Sequence, residues 1–447
     1  MSASKSKPQG IDRRPPLVAA LVVHPIRPHA AGFRAPEARL EEAVGLALAL
    51  DLTVREAMVV PLRATSPATL FGKGKVEELH VTIGENDIEV VVIDDALTPS
   101  QQRNLEKAWN AKVVDRTGLI LEIFARRART REGKLQVELA RLNYERSRLV
   151  RTWTHLERQS GGTGATGGPG ETQIELDRRM IADRILKLKK ELVEVRRTRS
   201  LHRAARKKAP YPSVALVGYT NAGKSTLFNR LTQASVTAQD MLFATLDPTL
   251  RQVRLPDGRP AILSDTVGFI SDLPHELVEA FRATLEEVQE ADIVLHVRDI
   301  ASEESDAQRK DVQQVLGDLG VTADLERAEG RHMLEIWNKA DLVADLEDRD
   351  ALANRATRFG ALLVSAQTGE GIDALLNTLA SLIDDTPPVR MILGVDQGKA
   401  LAWLYRHGRV QTEEPDAEGN VALEARLEEG AVGRFERLFP EIVVRNP

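Results

Sequence analysis

Residues 213–230, SVALVGYTNAGKSTLFNR, leave this chain few architectures to choose from. The apolar run Val214 to Val217 reads as a buried strand, and Thr226, Leu227, Phe228 and Leu231 give helical spacing. Between them lies Gly218-Tyr219-Thr220-Asn221-Ala222-Gly223-Lys224-Ser225, which fits the P-loop pattern in the strand-to-helix context that the pattern requires. The chemistry explains the residue types. Glycines let the backbone curl so that successive N–H groups face phosphate oxygens, and the helix N-terminus adds a positive dipole end. Lys224 is placed to reach the β- and γ-phosphates and the Ser225 hydroxyl to ligate Mg²⁺. A doubly wound α/β domain that binds a nucleoside triphosphate follows. The motif by itself names neither base nor reaction.

Four later stretches narrow both. Phe243-Ala244-Thr245-Leu246-Asp247-Pro248-Thr249 offers a threonine to sense the γ-phosphate and join the Mg²⁺ shell, and spacing leaves Thr245 and Thr249 both open. Ala261 to Leu263 runs into Asp265-Thr266-Val267-Gly268, with the carboxylate suited to the Mg²⁺ shell and the glycine N–H to the γ-phosphate. Leu334 to Trp337 leads into Asn338-Lys339-Ala340-Asp341. A carboxylate there accepts from N1–H and the exocyclic amine of guanine. Adenine presents an acceptor at N1 and would leave the carboxylate unpaired. Leu362 to Val364 leads into Ser365-Ala366-Gln367, a loop that would offer backbone N–H to the guanine oxygen. Apart from 243–249, each motif follows an expected strand, at the end where such a sheet takes its ligand. Residues 210–388 therefore read as a GTPase domain, with GTP and GDP as ligands.

One departure carries information. Phe269, not glutamine, follows Gly268, and a phenyl ring cannot polarise the attacking water. Basal hydrolysis is expected to be slow and to need help. Asn221 is placed to hold K⁺ where other GTPases use an arginine finger, or else to accept a tight turn; a partner is the other source.

The chain before this domain alternates from Leu17 to Asp115. Strands are expected at 17–23, 56–62, 88–93 and 111–115, and helices at 35–50, 75–83 and 100–110, a small parallel α/β layer over 17–132 behind a disordered tail, 1–16. Phe71-Gly72-Lys73-Gly74-Lys75 reads as a helix start before a phosphate loop. From Gly133 the pattern changes. Leu135, Leu139, Leu142, Leu149, Trp153 and Leu156 form one seam, and Ile174, Ile181, Ile185, Leu188, Leu192 and Val195 a second. Gly161-Gly162-Thr163-Gly164-Ala165-Thr166-Gly167-Gly168-Pro169-Gly170 joins them, so 133–209 reads as an antiparallel helical hairpin with a glycine tip. Residues 125–209 hold 23 Lys and Arg against 10 Asp and Glu in a chain whose overall charge is −5, a footprint for a polyanion. A plain linker needs no long helices to project it. The tip glycines (Gly161, Gly162, Gly164, Gly167, Gly168) and the flanking Arg148, Arg151, Arg158, Arg178 and Arg179 are thus candidate RNA contacts.

Cysteine is absent, which excludes disulfides, thiolate metal sites and a cysteine nucleophile. The polar, proline-bearing start lacks a signal-peptide core, and no apolar run reaches the roughly 18 residues of a spanning helix. A cytoplasmic monomer without membrane insertion is expected, peripheral membrane contact being left open. Pro387-Pro388 opens a small C-terminal α/β region, 389–447, with strands at 389–395 and 421–427, helices at 398–406 and 430–438, and no legible chemistry.

With these residues in hand the chain resembles the HflX family within the Obg–HflX group of P-loop GTPases, over almost its whole length. The marks are GYTNAGKSTLFN at 218–229, LFATLDPTLR at 242–251, DTVGFI at 265–270 and GPGETQ at 168–173, followed by Leu176-Asp177-Arg178-Arg179. The resemblance implies Mg²⁺ on Ser225 and Thr245. It further implies binding to the large ribosomal subunit and its rRNA, with the hairpin reaching toward the peptidyl-transferase region, and a role in splitting or rescuing stalled ribosomes under stress. Two other classes stay open: a nucleotide-gated scaffold for a protein partner, and an ATP- or GTP-dependent RNA remodeller. Asp341 disfavours ATP.

Overall fold

The computed structural model describes residues 18–28, 34–157, 169–207, 211–233, 242–243, 245–271, 282–321, 332–343, 345–383, 388–394, 396–415, 420–427 and 429–444. The expected tail 1–16, Arg158, the glycines Gly161 to Gly168, and Ala244 lie outside them, and of Arg151 only the backbone is described. The chain separates into two compact units, Met1–Arg251 with Ile262–Gly371, and Gln252–Ala261 with Ile372–Pro447.

The first unit opens with β1 (Ala19–Ile26), α1 (Pro36–Leu48), β2 (Thr53–Pro61), α2 (Lys73–Glu85), β3 (Val90–Ile93), α3 (Pro99–Trp109), β4 (Lys112–Asp115) and α4 (Arg116–Arg127). The strands form a parallel sheet in the order β2-β1-β3-β4. Parallel strands covered on both faces need near-continuous apolar runs, and AALVV in β1 and VVVI in β3 supply them. Helix α2 starts at Lys73 behind an extended Gly72, so the Gly/Lys segment is a helix start. Helix α4 was not anticipated. Leu119, Ile120, Ile123 and Phe124 bury one of its faces, and Asp115 caps it by accepting from Gly118 N at 2.8 Å. Asp115 also accepts from Leu97 N, the Tyr144 hydroxyl and Arg148, which ties the sheet, α4 and the next helix to one carboxylate.

Helices α5 (Arg131–Glu157) and α6 (Pro169–Lys207) follow. Leu135, Leu139 and Leu142 pack against Leu188, Leu192 and Val195, and Arg184 meets Glu138 at 2.6 Å, so the two helices run back along each other. The next elements are β5 (Ser213–Gly218), α7 (Lys224–Thr232), β6 (Thr249–Arg254), β7 (Pro260–Asp265), α8 (Arg282–Gln289), β8 (Ile293–Asp299), α9 (Ser305–Asp318), β9 (His332–Asn338), a 3-10 turn at Ala340–Leu342, α10 (Leu346–Phe359) and β10 (Leu362–Leu363), the end of β6 and the start of β7 counting with the second unit. Their sheet runs β10-β9-β8-β5-β7-β6. Strand β5 lies between β7 and β8, parallel to both, which puts the P-loop at the point where strand order reverses.

The second unit holds α11 (Ile372–Leu382), β11 (Pro388–Leu393), α12 (Gly398–His407), β12 (Arg409–Pro415), β13 (Val421–Arg426) and α13 (Glu429–Leu438). Its antiparallel sheet runs β11-β13-β12. Leu404, Leu423, Ala425 and Phe435 are buried in its core. Strand β12, RVQTEEP, has too little apolar alternation to be read as a strand from sequence. Among the described residues no helix is long and apolar enough to cross a membrane.

Candidate nucleotide site

The P-loop departs from β5 through positions that only small or left-handed residues fill. A Cβ on Gly218 would lie 2.2 Å from Val297 O, and one on Gly223, at φ +87°, would lie 2.2 Å from Asn338 Nδ2. Asn221 adopts φ +60°, which asparagine accepts more readily than most residues. Lys224 is buried, and its Nζ donates to Gly218 O at 3.1 Å and Tyr219 O at 2.7 Å, so the ammonium is folded back over the loop that the motif curls. Burial pulls this lysine down to about 8, with Asp265 opposing the shift.

Three oxygens meet beside it. Ser225 Oγ lies 2.9 Å from Thr245 Oγ1 and 2.8 Å from Asp265 Oδ2, and Thr245 Oγ1 lies 2.9 Å from the same carboxylate oxygen. Thr249 instead opens β6. Burial holds the Asp265 carboxyl above its usual range, and its Oδ1 is buried with no hydrogen-bond partner among the described residues. Two hydroxyls and a carboxylate with an unsatisfied oxygen form a hard oxygen set, the donor chemistry that Mg²⁺ takes. Thr266 and Val267 are buried, and a Cβ on Gly268 would lie 2.8 Å from Thr220 Cα and 3.0 Å from Lys224 Nζ. Phe269 pairs with the loop through its backbone, accepting from Thr220 N at 2.7 Å and donating to Gly218 O at 3.1 Å. Its ring is buried.

The base-reading residues converge from β9 and the loop after β10. Asn338 Nδ2 donates to Ala222 O at 2.9 Å and Asn338 Oδ1 accepts from Ala366 N at 2.9 Å, so one amide joins the P-loop to the 365–367 loop. Ser365 Oγ donates to Asp341 Oδ1 at 2.6 Å. Lys339, at φ +66°, pairs with Asp299 at 2.8 Å, and Ala340 N donates to Val364 O.

The 242–247 loop is where the structure adds most. Phe243 packs edge-on against Phe124, ring centroids 4.7 Å apart, and Leu246 is buried. Asp247, placed by its sequence neighbours among the nucleotide contacts, turns its carboxylate to the base of α5. There it accepts from Arg129 N at 2.7 Å, Thr130 N at 2.9 Å and the Thr130 hydroxyl. Thr130 in turn caps α5 by accepting from Gly133 N at 3.0 Å. A Cβ on Gly133 would lie 2.4 Å from Asp247 Oδ1, so this approach requires glycine. Tyr219 reaches α1. Its hydroxyl donates to Glu42 and accepts from Arg34 at 2.9 Å and Ser271 N at 2.8 Å. Arg116 reaches Glu42, Asp94 and the Ser271 carbonyl from the opposite side. Despite burial, Arg116 and the Tyr219 hydroxyl hold the Glu42 carboxyl below its usual range, while burial and Glu42 raise the Tyr219 phenol. Glu42, Arg34, Arg116 and Ser271 carry no sequence signal, because their partners lie far off in the chain.

Of the expected RNA contacts, Arg178 and Arg179 are exposed on α6. Arg148 is a strut: it donates to Asp115 at 2.6 Å and to Gln102, and lies over the Tyr144 ring.

A strand-borne P-loop, a Ser/Thr/Asp oxygen cluster and an Asn-Lys-x-Asp end tied to it define a P-loop GTPase. The comparisons agree along the chain. The GTP-binding GTPase N-terminal family matches residues 37–125, the GTP-binding GTPase Middle Region 127–206, the 50S ribosome-binding GTPase family 213–339 and the HflX C-terminal domain 351–444. The GTPase HflX of Magnetococcus marinus is 52% identical over 89% of this chain and 90% of its own. That of Escherichia coli is 43% identical over 87% and 89%, and that of Akkermansia muciniphila 38% over 98% and 99%. The chain belongs to the HflX family of GTPases.

Proposed function

We propose that this GTPase binds the large ribosomal subunit when GTP has ordered its 242–247 loop, docks the α5–α6 hairpin on rRNA, and leaves after hydrolysis, in the service of splitting or rescuing stalled ribosomes. The observation that carries the reading is Asp247. Two residues from Thr245, its carboxylate holds the first turn of the helix that begins the basic hairpin. A loop that senses the γ-phosphate is thus tied to the element proposed to meet RNA. The 50S ribosome-binding description of the family matching 213–339 supports the partner. The positive excess of 125–209 and the exposed Arg178 and Arg179 support rRNA within it.

At the site, Ser225 and Thr245 would hold Mg²⁺, with Asp265 behind them. The metal would neutralise charge on the phosphate oxygens. Lys224 would leave its two carbonyls for the β- and γ-phosphates. Asp341 would select guanine. Phe269, ring buried, does no proton chemistry, so the missing help falls to the ribosome or to K⁺ held at Asn221 in the place of an arginine finger. The Asn221 side chain is exposed and makes no hydrogen bond among the described residues. Equal turnover in sodium and potassium would assign this help to the ribosome alone.

One observation favours a protein partner: Leu176, Met180, Leu186 and Val193 are exposed on α6. Co-sedimentation with purified large subunits, with a non-hydrolysable GTP analogue and with GDP over a salt series, separates the two. The rRNA reading expects analogue-dependent binding that weakens about 10³-fold or more between about 50 and 200 mM salt. Binding indifferent to salt would favour the protein contact.

A further inference from the structure

We propose that Arg230 is a positioning residue for guanine selection, acting through the 365–367 loop and never on the nucleotide itself. Arg230 stands on the last turn of α7, the helix whose first residues are Lys224 and Ser225. Its Nε donates to Ala366 O at 3.1 Å and its Nη2 donates to Gln367 O. The loop closes at Gly369, whose φ of +97° favours glycine, and the guanidinium lies beside it, 3.6 Å from where a Cβ would stand.

The loop is therefore fastened from two elements. From β9 and the turn after it, Asn338 takes the Ala366 N–H and Asp341 takes the Ser365 hydroxyl. From α7, Arg230 takes the two carbonyls. In a trans peptide the C=O and the N–H that follows it point in opposite directions. Holding the Ala366 carbonyl toward α7 turns the Gln367 N–H away from it, and so sets the direction of a donor that the guanine oxygen would meet. Ser365, in the same short loop, steadies the Asp341 carboxylate. One guanidinium on the P-loop helix thereby sets both base-reading groups, and it links phosphate and base recognition along α7. A forked donor suits two adjacent carbonyls, whereas a lysine ammonium would serve only one of them well. The inference rests on the GTPase site and is independent of any ribosomal partner.

The test uses the full chain with Arg230→Ala and Arg230→Lys. We expect Arg230→Ala to raise the KM for GTP, and to weaken GTP and ITP binding, by about tenfold, the worth of one partly exposed charge-assisted contact pair. ATP binding should stay as weak as before, so the GTP-over-ATP preference shrinks by the same factor while kcat moves less than about twofold. Arg230→Lys should recover part of the loss. An unchanged preference would overturn the proposal, as would equal losses for GTP and ATP, which mark a damaged P-loop, or a fall in kcat at constant KM. Melting curves check folding, and Arg230→Lys alone decides the matter if the alanine variant does not fold.

Discussion

The Asp247 carboxylate accepts three hydrogen bonds from residues 117 and 118 positions earlier in the chain. Nothing in its own neighbourhood announces this, and Phe243 to Asp247 read from sequence as nucleotide contacts alone. Thr245 was legible as one of two threonines, and the geometry places it, not Thr249, beside Ser225 and Asp265. Residues whose partners lie within a motif could be read. Residues whose partners lie across the fold, such as Arg230, Arg116 and Tyr219, could not. Arg148, a candidate RNA contact from its basic helix, also has a partner across the fold, Asp115, that sequence does not announce. A prediction at this scale concerns His296 on β8. Burial lowers its imidazole to about 4, with Glu335 pulling the other way. Its ordinary value is about 6.5, so between those values the unfolded chain binds the proton and the native protein does not. Stability then rises with pH across the window and is lost on acidification from about 6.5 toward 4, at up to about 1.4 kcal/mol per pH unit. His296→Leu should flatten that part of the urea-midpoint profile; a slope identical to the native protein's would refute the assignment.

At the scale of elements, alternation and seams were readable because each is a local period. Strands β1 to β4 and helices α1 to α3 fall within a few residues of the expected spans. Helix α4 escaped because its cap, Asp115, looked like the end of a strand, and β12 because its sequence is polar. The apolar seam of α5 and α6 shows in Leu135, Leu188 and Leu192. Their proposed role yields a prediction. Shortening the glycine-rich segment 161–168 should cut ribosome-stimulated GTP turnover at least about tenfold, while GTP affinity stays within about twofold, since the segment is remote in sequence from every nucleotide motif. Stimulation equal to that of the native chain would remove this segment from the mechanism.

The whole molecule joins two devices: a guanine-nucleotide site built at strand ends, and a basic hairpin whose first turn is held from the nucleotide loop. Coupling between such sites is commonly worth about 1–3 kcal/mol, or roughly 5- to 150-fold in affinity. The most direct measurement is GTP turnover with and without purified large ribosomal subunits, at about 50 and about 200 mM salt, for the native chain and for Asp247→Ala. Strong stimulation of the native chain is expected at low salt, with a steep loss at high salt. For Asp247→Ala, stimulation reduced about tenfold is expected. No stimulation of the native chain at either salt, or full stimulation of Asp247→Ala, would contradict it.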